Sequence, residues 1–286
     1  MIERHREGRA PDFLCIGVQK AGTTWFSQMI RQHPNIWMPP VKEIQYFNGI
    51  HIPGHKDWVG THRLAHAEEI LREKLKKEKL SLQDWKSIKI LSDLTQTHVD
   101  DEWYLGLFRM VAPSQICGEV TPEYSLLNDD GVAHIKKLNP DVKIILILRD
   151  PIERCWSHLK MLKSTKGHEF TIEDGLKYTE IYERVQYYQI IKRWNKFFDK
   201  GKITVQFYDG IGPDPKSLMM KVCKFLNVDF DVKYFKDLDR VVFKGSTEPI
   251  PASIYNHLKD RLNDTYIENE KIFPIMGGKW RKIHYT

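Results

Sequence analysis

Cysteine is scarce and scattered. The 286 residues hold four, Cys15, Cys117, Cys155 and Cys223, with no C-x-x-C pair and no His/Cys spacing of a metal site. A disulfide framework and a structural zinc are therefore excluded, and thiols inside apolar runs such as Cys15 and Cys117 fit a reducing compartment. Long hydrophobic runs are also missing: none approaches the roughly 20 residues of a membrane span. The first residues, Met-Ile-Glu-Arg-His-Arg-Glu-Gly-Arg, lack the apolar region of a secretion signal. The expectation is a soluble, cytoplasmic chain. Charge of one sign is not concentrated either. Forty-four Lys and Arg against 38 Asp and Glu leave a net +6, spread along the chain. That is too diffuse for a nucleic-acid surface and suits an anionic small ligand. The one dense basic run, Arg72 to Lys79, is interleaved with Glu and reads as a solvated helix face. Repeats, low-complexity stretches and linkers are absent, so residues 1–286 read as a single domain.

What is present is an alternation of strands and helices. Phe13–Val18 reads as a buried strand, followed by a helix over Thr23–Gln32. Ile36–Met38, Ile116–Val120, Lys143–Leu148 and Ile203–Phe207 read as further strands. Lys-Ile-Ile-Leu-Ile-Leu at 143–148 has the continuous apolar run of a strand covered on both faces. Helices are expected over Ala65–Leu80, Glu102–Arg109, Val132–Leu138, Glu183–Phe198, Pro215–Leu226 and Ala252–Leu262. Pro151 sits well at a helix start. Gly49 to Gly60 reads as an irregular loop, and Ile88–Leu91 suits either strand or helix. The fold class is α/β, with a central parallel sheet flanked by helices.

The first strand runs into a loop with Gly17 and Gly22 at phosphate-cradle spacing. Glycines allow a close backbone approach to an anion, and the helix behind them points unpaired N–H groups at it. Lys20 adds charge, and Thr23 and Thr24 add donors. The nucleoside-triphosphate cradle G-x-x-x-x-G-K-[ST] needs Lys after the second Gly. Here Thr23 stands there and Lys20 lies inside the loop, which argues against ATP. Two more segments follow strands: Lys42-Glu43-Ile44-Gln45-Tyr46-Phe47, and Arg149-Asp150-Pro151 leading to Ser157. Ligands of such sheets bind outside the strands' carboxyl ends, where these segments converge. Arg149 there suits a bidentate phosphate contact. Asp150 also admits a magnesium-holding role, against which the immediate Pro151 counts.

These residues resemble a family. Gln19-Lys20-Ala21-Gly22-Thr23-Thr24-Trp25 resembles the loop that holds the 5′-phosphosulfate in sulfotransferases, which use 3′-phosphoadenosine 5′-phosphosulfate (PAPS) and release 3′,5′-diphosphoadenosine (PAP). Arg-Asp-Pro-x-x-Arg-x-x-Ser, Arg149 to Ser157, resembles their 3′-phosphate site. The resemblance implies a P-loop-like fold, PAPS as donor with no metal required, and cofactor contacts from residues 19–25, Arg149 and Ser157. Lys42 to Phe47 looks like the segment of heparan-sulfate-type and related bacterial members that carries the catalytic carboxylate, which makes Glu43 the base beside Lys20. Small-molecule members use a His base instead; His98 is the nearest candidate, in surroundings unlike that motif. Gly118 to Pro122 resembles a segment that carries Lys in some heparan sulfate enzymes, where this chain has Val120. Glu119 beside it either binds substrate or ties down its loop. A basic loop over the nucleotide is expected at Lys244-Gly245-Ser246 or at Gly277-Gly278-Lys279.

The acceptor would be a small molecule or a glycan, a hydroxyl or an amine, met by Asn48–Thr61, Asp93–Tyr104 and Lys160–Tyr182. His51, His55, Trp58 and His62 suit a polar or sugar-like acceptor, or plain loop packing. Two other functions stay open: an ATP-dependent kinase, and a nucleotide-binding protein without catalysis.

Overall fold

Parallel pairing organises the molecule. A computed structural model describes residues 8–238 and 248–285. Five strands form one sheet in the order β2-β3-β1-β4-β5: β1 (Phe13–Gly17), β2 (Ile36–Trp37), β3 (Ile116–Val120), β4 (Lys143–Leu148) and β5 (Ile203–Phe207). Every pairing is parallel, with Leu14 opposite Glu119 on one side and Ile144 on the other. The side chains of β1 and, beyond Lys143, of β4 are buried throughout. Burial on both faces is what their unbroken apolar runs encode. After β1 the chain moves toward β3 and β2; after β4 it moves toward β5. That reversal between neighbouring strands opens a crevice at their carboxyl ends, where ligands of open α/β sheets bind.

Helices flank the sheet. α1 (Thr23–Ile30) follows β1, and α6 (Asp129–Leu138) leads into β4. α7 (Pro151–Thr165) follows β4; it has Pro151 in its first turn and Asp150 as its cap. α11 (Pro215–Leu226) follows β5 and ends on Asn227 in the left-handed conformation. Between β2 and β3 lie α2 (Tyr46–His51), α3 (Lys56–Leu75), α4 (Leu82–Asp93) and α5 (Asp101–Gly106). α8 (Ile172–Gly175), α9 (Thr179–Glu183) and α10 (Tyr187–Trp194) bridge α7 to β5, and α12 (Ala252–Ile272) and α13 (Pro274–Tyr285) close the chain. One continuous core runs from Phe13 and Ile144 through Phe26, Tyr104 and Trp194 to Trp280.

Three expectations change, and one open choice, at Ile88–Leu91, is resolved as helix. Gly49–Gly60 is mostly helical: α2 and α3 meet at a turn containing Gly54, at φ 78°. Ile88–Leu91 belongs to α4, launched by a reciprocal Ser81–Asp84 capping box. The long helix over Glu183–Phe198 is two, broken at Arg184–Gln186, where Gln186 leaves helical geometry at ψ 59°. Gly277-Gly278-Lys279 is no loop but part of α13. A Cβ on Gly277 would stand 2.8 Å from the backbone of Asn269 and Glu270, so this glycine serves close packing on α12.

Candidate active site

The loop after β1 is shaped by positive φ angles: Gly17 137°, Lys20 70° and Gly22 84°. A Cβ on Gly17 would stand 2.9 Å from the Pro122 carbonyl, and one on Gly22 2.5 Å from Ile211 Cδ1. Gly17 therefore needs glycine for space as well as for backbone angle, while Gly22, whose neighbour is a movable side-chain end, needs it for its φ. Gly22 is the N-cap of α1 and has no side chain to cap it, so the first-turn N–H groups and the helix dipole face the loop. Thr23 is buried in that turn, and Thr24 is half-buried beside it. Trp25 is core, donating from Nε1 to the Leu238 carbonyl at 3.2 Å.

Lys20 lies among cations. Among the described residues its ammonium group has neither an ion-pair nor a hydrogen-bond partner. Burial pushes its ammonium pKa down, helped by the charges of Arg154, Arg149, Lys42 and Lys160. Arg149 extends from the end of β4, donates to the Lys20 carbonyl at 3.3 Å, and lies over the Tyr208 ring at 4.5 Å. Its other partner is the half-exposed Glu153, at 3.3 Å. Ser157 is half-buried two turns along α7. An uncapped helix start, a lysine whose ammonium has no partner among the described residues, and a forked arginine stand at adjacent strand ends, each a group that binds anions. These residues fit a nucleotide phosphosulfate.

Asp150 is not arranged to hold a metal. It caps α7 through the Glu153 N–H at 3.0 Å and accepts from Tyr266 Oη at 2.9 Å, with His284 Nε2 at 3.1 Å. Both carboxylate oxygens are committed to the fold.

The segment after β2 brings a carboxylate to the same end of the sheet. The Glu43 N–H is bound to the Val120 carbonyl at 3.2 Å, and Glu43 has φ 66°. Its carboxylate pairs with Lys42, accepts from Gln45 Nε2 at 3.2 Å, and lies 3.8 Å from His62 Nε2. Burial, then His66, holds the His62 imidazole pKa down to about 4, so it is neutral near pH 7. His98, the other candidate base, is a surface residue, 88% exposed beside Asp100.

Residues that the sequence did not single out connect these parts. Glu123, buried after β3, accepts from Gln19 at 3.2 Å, from Gln45 at 3.5 Å and from Arg184 at 3.2 Å. Arg184 also holds Glu180 at 2.8 Å. The nearby His55, then the charge of Arg184, pull the Glu180 pKa down to about 2. Buried Arg154 donates to the Gln19 carbonyl at 3.0 Å. Only the second Arg of the Arg-Asp-Pro-x-x-Arg motif offered a signal for Arg154. Nothing local marks Glu123 or Arg184. Glu119 ties its loop: it accepts from Tyr104 at 2.6 Å, Thr121 at 2.7 Å and Tyr124 at 3.0 Å, and burial raises its pKa.

Trp58 packs against His55 and His62, with ring centroids at 5.1 and 5.7 Å, and thus stands near Glu43. His51 turns instead to His134, at 2.9 Å. Lys244 and Gly245 lie outside the described residues. The described residue on the C-terminal side of that stretch, Glu248, takes a hydrogen bond from Trp156 Nε1 at 3.3 Å, as Leu238 does from Trp25 on the other. Among the described residues no helix is long and apolar enough to cross a membrane.

Residues 11–232 match the family described as the Sulfotransferase family. The membrane-associated sulfotransferase kil1 of Dictyostelium discoideum is 27% identical over 164 residues, covering 55% of this chain and 25% of that protein. Human heparan sulfate glucosamine 3-O-sulfotransferase 5 is 27% identical over 141 residues, covering 44% of this chain and 40% of that protein. The matched stretches thus span well under half the length of these curated relatives. In fold, the chain is similar to a sulfotransferase from Alicyclobacillus acidocaldarius, with a TM-score of 0.64 at 19% identity over 92% of this chain and 95% of that one.

Proposed function

This chain belongs to the sulfotransferase family, and we propose that it transfers a sulfuryl group from PAPS to a hydroxyl or amine of a small-molecule or glycan acceptor. One observation carries the reading. Lys20, whose ammonium has no partner among the described residues, and the forked Arg149 lie on the loops of adjacent strands β1 and β4, and a chain of hydrogen bonds through Gln19, Glu123 and Gln45 runs from that loop to the carboxylate of Glu43.

When bound, PAPS supplies an activated sulfur whose bond to the 5′-phosphate oxygen breaks as the acceptor oxygen or nitrogen bonds to it. Lys20, the α1 N–H groups, Thr23 and Thr24 would neutralise the charge that grows on the departing phosphate oxygen. Arg149 and Ser157 would hold the 3′-phosphate and so favour this donor over ATP. Gln19, Ala21, Gly22 and Trp25 shape the cradle, and Lys244 and Gly245 would contribute from the C-terminal side. Glu43 would accept the acceptor's proton at Oε1 or Oε2. Trp58, His55 and His62 would form the wall facing the acceptor. A sulfuryl group carries less charge than a phosphoryl group, so these cations suffice in the proposed step without a metal.

The test is turnover of labelled PAPS against a panel of acceptors, alongside the melting shift produced by PAP and by ATP with magnesium. PAP should stabilise the protein and ATP with magnesium should not; the reverse order would favour a kinase. Glu43→Gln should keep PAP affinity within about threefold and lower turnover by about 10²-fold or more. Near-normal turnover in that variant would remove Glu43 as the base.

A further inference from the structure

Arg154 is fully buried, 0% exposed, one turn into α7. Its three nitrogens are all engaged: Nε with the Gln19 carbonyl at 3.0 Å, one terminal nitrogen with the Ile181 carbonyl at 2.7 Å, the other with His158 Nδ1 at 2.6 Å. Every one of these acceptors is neutral. A guanidinium only donates, so His158 must present the Nδ1 lone pair and carry its proton on Nε2. Burial and the charge of Arg154 keep that imidazole uncharged. Among the described residues Arg154 has no carboxylate partner. Arg184, equally buried and close by, has two, Glu123 and Glu180.

A buried charge without an opposite charge is costly. Two cations without an opposite charge among the described residues adjoin one loop: buried Arg154, bound to the Gln19 carbonyl, and half-buried Lys20, the next residue. Neutral hydrogen-bonding side chains would serve the three acceptors without that cost. The three neutral acceptors offset part of that cost, and an anion in the cradle would offset more.

We propose that Arg154 is a positioning residue of the donor site: its uncompensated buried charge draws the donor's 5′ anion across the Gln19–Lys20 backbone, and its bond to the Gln19 carbonyl holds the loop in its binding shape. This rests on reading the cradle as a phosphosulfate site. Lys20 meets that 5′ anion directly and Arg149 the 3′-phosphate; Arg154 acts from behind the loop.

The test uses His158, because Oδ1 of Asp or Asn at that position stands close to where Nδ1 now lies. His158→Asp gives Arg154 an internal anion, and His158→Asn gives it a neutral acceptor. The unliganded Asp variant should melt higher than the Asn variant by about 3 °C or more. Its PAP affinity should nevertheless fall at least tenfold, while the Asn variant stays within threefold of wild type. A residue serving only the fold would not move stability and affinity in opposite directions. Equal PAP affinity in the two variants, or an Asp variant that melts below the Asn variant, overturns the proposal. If neither variant folds, Arg154→Gln decides: it keeps donors for the carbonyls but lacks the charge, and should lose PAP affinity at least tenfold. Unchanged affinity there overturns the proposal too. Failure of the wild-type protein to bind PAP would instead overturn the donor reading, and the melting order, which involves no ligand, would still decide the matter of the charge.

Discussion

Arg149 shows how much one side chain can be asked to do. It follows β4, reaches back to the Lys20 carbonyl, and lies over the Tyr208 ring. Only a planar, forked cation stacks and donates at once. Its carbonyl is also held, by Tyr187 Oη at 2.5 Å, so the guanidinium starts from a fixed backbone. If it meets the 3′-phosphate, Arg149→Ala should weaken binding of PAP far more than of AMP, by roughly ten- to a hundredfold for a lost charge-assisted pair. Titration calorimetry with the two nucleotides measures the difference. Equal losses would mean that Arg149 shapes the loop rather than reading the 3′-phosphate.

At the scale of elements, two helix starts, α1 and α7, are delivered to neighbouring strand ends. They are finished differently. α1 begins on Gly22 and leaves its first-turn donors to the crevice, whereas α7 is sealed by Asp150, which also binds Tyr266 and His284 from α12 and α13. The sealed helix anchors the C-terminal pair, and the open one keeps its first-turn donors without a side-chain cap. Asp150→Ala should therefore lower stability by about 1–3 kcal/mol. Magnesium should change neither the wild-type protein's melting nor the variant's. Urea unfolding with and without magnesium checks both; a magnesium-dependent gain in the wild type alone would restore a metal role for Asp150.

The molecule as a whole buries several imidazoles in uncharged form. Burial lowers the pKa of His62 to about 4 and also lowers those of His51 and His158, against roughly 6.5 in the unfolded chain. A group whose folded pKa is depressed contributes stability above its unfolded pKa, and loses it as pH falls toward the folded value. These histidines are neutral in the fold and must charge on acidification. Stability should be flat above about pH 7 and should fall from about 6.5 toward 4. Glu180, held down to about 2, adds a further loss below about pH 4.5. Urea midpoints at pH 7.5 and 5.5 measure the first window, and His62→Asn should reduce the difference between them. An unchanged difference would show that His62 titrates freely.

Much of this was legible along the chain, for a local reason. β-Branched and leucine runs mark buried strands, glycines mark positions where a side chain cannot fit, and Pro151 and Asp150 mark a helix start. Covalent spacing alone therefore put Lys20 in a cradle and Arg149 at a strand end. The expectations that failed depended on partners far away in sequence. His, Gly and Trp between 49 and 60 look like a loop until α2 packs against α6 and α3 against α4. The helix expected through Arg184 breaks where that side chain is buried between Glu123, 61 residues away, and Glu180. Arg154 meets the Gln19 carbonyl across 135 residues. By itself the sequence determined the alternating elements and the loop between β1 and α1 with its odd lysine, because backbone propensity and residue spacing are local. Only the tertiary structure decided which buried charges are paired, Arg184, and which has no opposite charge beside it among the described residues, Arg154. Compensation of a buried charge depends on what the fold brings within a few ångströms of it, and no local pattern carries that.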